Sequence, residues 1–222
     1  HCKPRSSMYK LFKRSHIPGS FEVQAAGACD TGIARDHNED AIAINIRADN
    51  GTPGYYLSIV CDGMGGHNAG EIASAVAVSV IGEHIQANLG TQEPPELMTR
   101  AFRMANAAID EQAELNPDAR GMGCTAVAVL GLKDKLWVAH SGDSRAYRIR
   151  KGDAKQLTVD HTMVQEMLDT GLLTPEQAAV HPYRGRISRC LGHGKNRFDP
   201  DVGEADIQVG DSVLLCSDGL SD

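Results

Sequence analysis

Four short acidic turns hold the residues of this 222-residue sequence best suited to chemistry: Asn38-Glu39-Asp40, Asp62-Gly63-Met64-Gly65-Gly66-His67, Gly142-Asp143-Ser144-Arg145 and Ser217-Asp218-Gly219-Leu220-Ser221-Asp222. Each adjoins an apolar, β-rich run. One Asp–Gly at a strand end has an ordinary explanation, because both residue types favour turns. Four such ends in one chain suggest that the strands bring several carboxylates together. That cluster is electrostatically unfavourable without a cation to neutralise it. Hard oxygen donors, with no Cys/His cluster of zinc type, select Mg²⁺ or Mn²⁺. Glycine beside the acid lets a backbone carbonyl approach the ion and leaves room for water. Two ions about 4 Å apart share a water, lower its pKa and aim it at phosphorus, which is the design of a phosphoester hydrolase.

The elements that must position these turns follow from hydrophobic pattern. Residues 21–29 and 41–48 read as strands, and 55–61 is a third, more apolar one that stops at Asp62-Gly63. Helical period and composition predict helices over 66–89 and 96–115, the second stopped before Pro117. Strands are expected at 124–131, 135–141 and 145–150, short helices near 161–170 and 175–180, and closing strands at 204–209 and 212–217. Strands, two long helices, then more strands describe a single α+β domain with segregated layers.

Bulk composition narrows the function. Lys+Arg 22 against Asp+Glu 29 leaves a formal charge of -7, which repels phosphodiester backbones and argues against a general nucleic-acid role. Six cysteines are scattered with no CxxC pair, so neither a zinc pattern nor a disulfide framework is visible and a reducing, cytoplasmic setting is favoured. No apolar run approaches the roughly 18 residues needed to cross a bilayer, and no secretory signal is evident. Residues 1–16 carry Lys3, Arg5, Lys10, Lys13 and Arg14 with no acid, and read as a basic tail or upstream remnant ahead of a catalytic domain at 17–222.

In order along residues 27–222, the stretches ARDHNEDA, VCDGMGGHNAGEIAS, GMGCTAVAV, VAHSGDSRAY, LTVDHTMVQEM, GLLTPEQAAVHP, ISRCLG and DSVLLCSDGLSD resemble the protein phosphatase 2C-type (PPM) family in its compact bacterial form. The resemblance implies a four-layer α/β/β/α sandwich, two mostly antiparallel sheets flanked by helices. It implies a metal-dependent protein serine/threonine phosphatase with two or three Mg²⁺ or Mn²⁺ ions, acting by direct attack of a metal-bridging water. Asp62 would bridge two ions, the Gly63 carbonyl would bind one, and Asp218 would ligate the other. Glu39 and Asp40 would hold metal-bound waters, and Asp143 with Asp222 would hold a weaker third ion. For Asp143 the competing role is a turn residue bonding its own backbone. Arg35 would bind the phosphate through its planar fork. Arg145 is expected to support the fold through an ion pair.

The same resemblance makes 171–189 a flap beside the site, where Arg184, Arg186 and Arg189 are either phosphopeptide contacts or solvated charges. Phosphoproteins opposed to a Ser/Thr kinase are the implied partners, with the protein a monomer. Two departures stand out. Met64 occupies a position where some members place a histidine, leaving His67 and His161 as weak candidates for the general acid. The family's late Asp, carried by a further helix and strand, does not fall within these residues, so either the sequence is a truncated piece or the second ion is weakly held. A phosphoprotein-binding pseudophosphatase is therefore one alternative. Another is a cysteine-dependent phosphatase, since Cys29 to Arg35 fits Cys-x-x-Gly-x-x-Arg.

Overall fold

The computed structural model describes residues 9–16, 22–32, 37–47, 54–65, 69–132, 134–192 and 199–221. Arg35, His67 and Asp222, all singled out above, lie outside the described residues. The order begins with β1 (Tyr9–His16), β2 (Glu22–Cys29), β3 (Asp40–Arg47) and β4 (Tyr55–Met64). Helices α1 (Ala69–Asn88) and α2 (Pro94–Leu115) come next, α2 opening on Pro94-Pro95, where the missing amide costs nothing. Five strands follow: β5 (Gly123–Cys124), β6 (Ala126–Leu132), β7 (Lys135–Ser141), β8 (Arg145–Arg150) and β9 (Asp153–Gln156). Short elements complete the chain: α3 (Met163–Asp169), α4 (Pro175–Ala179), β10 (Leu191–Gly192), β11 (Asp201–Asp206), β12 (Ser212–Cys216) and α5 (Asp218–Ser221).

Strand β4 organises the larger sheet. It pairs with β3 on one edge and with β5 and β6 on the other; β7 and then β11 extend the sheet beyond β6, and β10 lies against β5. A second antiparallel sheet has the order β12-β8-β9, and β1 pairs with β2. Strand alternation assigns the two faces of the larger sheet. Leu57, Ile59 and Cys61 join Ala73, Ala77 and Ile81 of α1 and Phe102 and Ile109 of α2 in one core. The small residues of α1 recur every fourth position, so the helix sits close on the sheet. Val127, Val129, Leu136 and Val138 face the other way and meet Ala146, Val213 and Leu215 of the smaller sheet in a second core. The expected α+β sandwich with two antiparallel sheets is present.

Some boundaries differ from expectation, each for a reason of pairing. Strand β4 runs past Cys61 to Met64 because Gly63 and Met64 pair with Cys124 and Gly123. The run expected at 124–131 is split at Thr125, whose amide donates to the Asp62 carbonyl at 2.8 Å. Strand β11 lies at Asp201–Asp206 rather than 204–209, set by its register against β7. Residues beyond it turn instead, with Asp211 accepting from the Gln208 amide at 2.8 Å and from Arg150. Within the segment read as a tail, Tyr9–His16 forms a strand along β2.

Candidate metal centre

The site grows from one cross-strand pair. Asp40 opens β3 and stands directly opposite Asp62 near the end of β4. Opposed residues in an antiparallel pair project from the same face, with Cβ atoms about 4.5–5.5 Å apart. Asp62 shares the parity of Tyr56 and Val60, which pack against the core between the two sheets. Both carboxylates therefore emerge at one end of the space between the sheets.

Side-chain oxygens then draw the other two acidic turns to the same end. Ser217, just past β12, donates from Oγ to Asp40 Oδ2 at 2.8 Å. That bond ties the smaller sheet to the larger one and brings in Asp218, the next residue and the start of α5. Thr125 Oγ1 accepts the Asp62 amide at 3.2 Å and contacts Ser144 Oγ at 2.6 Å. Thr125 and Ser144 are both buried, at 1% exposure, so these bonds are shielded from competing water. Ser144 follows Asp143, and the half-buried Asp143 turn between β7 and β8 is thereby fastened to the strand end that carries Asp62.

Close backbone approach completes the arrangement. A Cβ on Gly63 would stand 2.0 Å from the Gly70 carbonyl oxygen and 2.7 Å from that of Glu39, so only glycine fits between the start of α1 and the start of β3. The Gly63 amide donates to the Glu39 carbonyl at 3.0 Å. Glu39 Oε1 lies 2.5 Å from where a Gly70 Cβ would be, which sets this carboxylate against the first turn of α1, where the helix dipole favours negative charge. Asp40 and Asp62, with Glu39 against α1 and Asp218 beside Ser217, thus line one end of the inter-sheet space beside a crowded glycine, as oxygen donors only; among the described residues their carboxylates are not gathered to the spacing of a metal group. That set fits a hard divalent cation and suits neither a soft nor a square-planar one.

Other residues named from sequence find different places. Arg145 forks onto Asp160 with contacts of 3.0, 2.9 and 2.5 Å, the structural ion pair expected of it. His161 is buried and holds Asp201 through Nε2 at 3.2 Å and the Gly142 amide through Nδ1 at 3.2 Å, so neither nitrogen is available to a leaving group. Burial and the neighbouring Asp40 and Asp30 raise the Cys29 thiol, with the Asn38 amide opposing them, the reverse of what a thiolate nucleophile needs. In the flap, Arg189 grips Asp201 at 2.9 Å and Arg186 lies over the Tyr183 ring at 5.6 Å, while Arg184 is exposed. Sequence reasoning assigned no role to Thr125, Ser144 or Ser217. Each stood inside a quoted motif, but a hydroxyl carries no signal until its partners are known.

A match to the protein phosphatase 2C family spans residues 25–167. The serine/threonine protein phosphatase PstP of Mycobacterium tuberculosis is 40% identical over 205 residues, covering 90% of this chain and 37% of that protein. The chain therefore spans little more than a third of that relative. The serine/threonine phosphatase stp of Listeria welshimeri is 38% identical over 196 residues, covering 86% of this chain and 75% of that protein. In three dimensions, the crystal structure of the M. tuberculosis phosphatase PstP/Ppp superposes with a TM-score of 0.75 at 34% identity, covering 97% of this chain and 80% of that one. The PstP catalytic domain in complex with two manganese ions superposes with a TM-score of 0.70 at 32% identity, covering 96% of this chain and 79% of that one. With the matched stretch running from β2 through the acidic turns at Asp40, Asp62 and Asp143, this chain belongs to the protein phosphatase 2C family.

Proposed function

We propose that this domain is a metal-dependent protein serine/threonine phosphatase that hydrolyses phosphoserine and phosphothreonine. The observation that carries the reading is the Asp40–Asp62 cross-strand pair, joined to the Asp218 turn by Ser217. It assembles carboxylates from three distant parts of the chain at one end of the inter-sheet space. Asp62, the Gly63 carbonyl and Asp218 would hold two Mg²⁺ or Mn²⁺ ions, with Glu39 and Asp40 ordering the waters around them. Asp143 and Asp222 would hold a weaker third ion. When bound, the ions supply an acidified water as nucleophile and offset the charge that builds on the phosphoryl oxygens. Arg35 would orient the phosphate bidentately and stabilise the same developing charge. The hydroxyls of Thr125 and Ser217 hold the Asp62 and Asp40 termini so that no reorganisation is needed during reaction.

Phosphorylated proteins are the proposed substrates, in opposition to a Ser/Thr kinase, and the chain is proposed to act as a monomer in the cytoplasm. Five unpaired thiols among the described residues support a reducing compartment. No described helix is long and apolar enough to cross a membrane. The test is release of phosphate from p-nitrophenyl phosphate and a phosphothreonine peptide with Mn²⁺, then with excess EDTA. Turnover lost with chelator, with Asp62→Ala and with Asp218→Ala is expected. Turnover that survives EDTA would defeat the proposal.

A further inference from the structure

Among the described residues, the group with metal-like spacing is His140, His161 and Asp201, with ligand atoms within 4.8 Å of one another. Its hydrogen bonds argue against an ion. His161 Nδ1 accepts the Gly142 amide, so a neutral ring carries its proton on Nε2 and points it at Asp201. A cation there would need that same lone pair. Asp201 is already bound by the guanidinium of Arg189, at 2.9 Å to one oxygen and 3.4 Å to the other.

What the group does instead follows from where His161 connects. Its amide donates to the Gly142 carbonyl at 3.0 Å while its ring accepts the Gly142 amide at 3.2 Å, so both backbone groups of Gly142 are clasped by one residue. Only glycine fits the clasped position. Its φ of +105° lies in the region that favours glycine, and a Cβ would stand 2.5 Å from Thr125 Cβ. On its other side His161 belongs to the base of the 163–190 excursion. The Ser188 amide donates to the His161 carbonyl at 2.8 Å, Thr162 bridges to Ile187, and the Met163 amide donates to the Arg186 carbonyl at 2.9 Å. Stacking on His140, with ring centroids 4.6 Å apart, fixes the plane of the imidazole.

We infer that His161 is a positioning residue that holds the Gly142-Asp143 turn and couples it, through Asp201 and Arg189, to the docking of the 163–190 excursion. The inference rests on the phosphatase reading only in taking Asp143 as a ligand of the weaker ion. On that reading, the docking of the excursion also sets how firmly the third ion is held. Arg189 then acts on the acidic turn rather than on phosphate.

Two substitutions separate the bonds. In His161→Asn the side-chain oxygen replaces Nδ1 and keeps the Gly142 bond; in His161→Gln the amide nitrogen replaces Nε2 and keeps the Asp201 bond. Amide exchange at Gly142, followed by NMR on the whole chain, is expected to rise about tenfold in His161→Gln and to stay within about threefold of the parent in His161→Asn. Binding of the weakest Mn²⁺, measured by calorimetry, is expected to weaken about fivefold in His161→Gln and also in Arg189→Gln, at the far end of the relay. Equal Gly142 exchange in the two His161 variants, or unchanged Gly142 exchange in a folded His161→Gln protein, would overturn the inference. So would unchanged Mn²⁺ binding in Arg189→Gln. Exchange is read without substrate, so a failure of turnover counts against the phosphatase assignment and leaves the clasp supported.

Discussion

Replacing Thr125 by valine takes one oxygen out of the centre of the site and leaves its volume almost unchanged. In the parent chain that oxygen accepts the Asp62 amide at 3.2 Å and meets Ser144 Oγ at 2.6 Å, in a position 1% exposed. Each lost hydrogen bond contributes about 1 kcal/mol net, and a buried amide left without an acceptor adds about 1–3 kcal/mol. The expected destabilisation is therefore roughly 3–5 kcal/mol, which in a domain of this size lowers Tm by about 6–20 °C. Trp137 fluorescence reports the melt, and Mn²⁺ titration of phosphatase activity reports the looser Asp62, with half-saturation expected to rise about tenfold. Thr125→Ser is the control, because it keeps the oxygen and loses only the methyl that lies against Gly142. That methyl accounts for about 1 kcal/mol. A valine variant melting within about 2 °C of the parent, or no worse than the serine variant, would refute the reasoning.

Three further outcomes are expected. Gly63→Ala would drive a methyl to 2.0 Å from the Gly70 carbonyl, and since both obstructing atoms are backbone, α1 must retreat from β4. A loss of about 3 kcal/mol or more is expected in thermal denaturation, and a variant as stable as the parent would contradict the packing. Acid should weaken the fold through His161, whose pKa falls from 6.5 to about 4 because of burial first, then the nearby His140 and Arg189, against the pull of Asp201. The unfolded chain takes up the proton first, so this stability is present above pH 6.5 and is lost as pH falls towards 4. Between pH 7 and 5 the loss is about 2 kcal/mol by urea denaturation, and His161→Asn should abolish that part; an equally steep fall in the variant would refute it. Cys29→Ser should keep activity within about threefold, since its raised thiol is no nucleophile, and loss of all turnover would restore the cysteine mechanism.

Much of this protein is legible in its sequence because the relevant physics is local. The apolar, β-rich run at 55–61 reads directly as β4, and the helical period and composition of 66–89 read as α1. An acid at a strand end is recognisable for the same reason, next to glycine at Asp62, Asp143 and Asp218 and next to Glu39 at Asp40, and so is the ion-pairing role of Arg145. Local pattern weakens where pairing decides: β11 shifted by three residues to meet β7, and the two-residue strands β5 and β10 are defined only by pairing, β5 with the end of β4 and β10 with β5.

Tertiary structure alone decided which acids meet and what holds them. The register of β3 against β4 puts Asp40 across from Asp62 rather than one residue away, and a slip of one would send the carboxylates to opposite faces. Bonds spanning 177, 63 and 19 residues, from Ser217 to Asp40, from Thr125 to Asp62 and from Gly142 to His161, are side-chain contacts between distant segments. A serine, a threonine and a histidine look ordinary in sequence because their partners are defined by packing of the two sheets. The composition of the site is therefore written in short motifs, while its geometry is set by hydrogen bonds that form only once the cores on both faces of the larger sheet have closed.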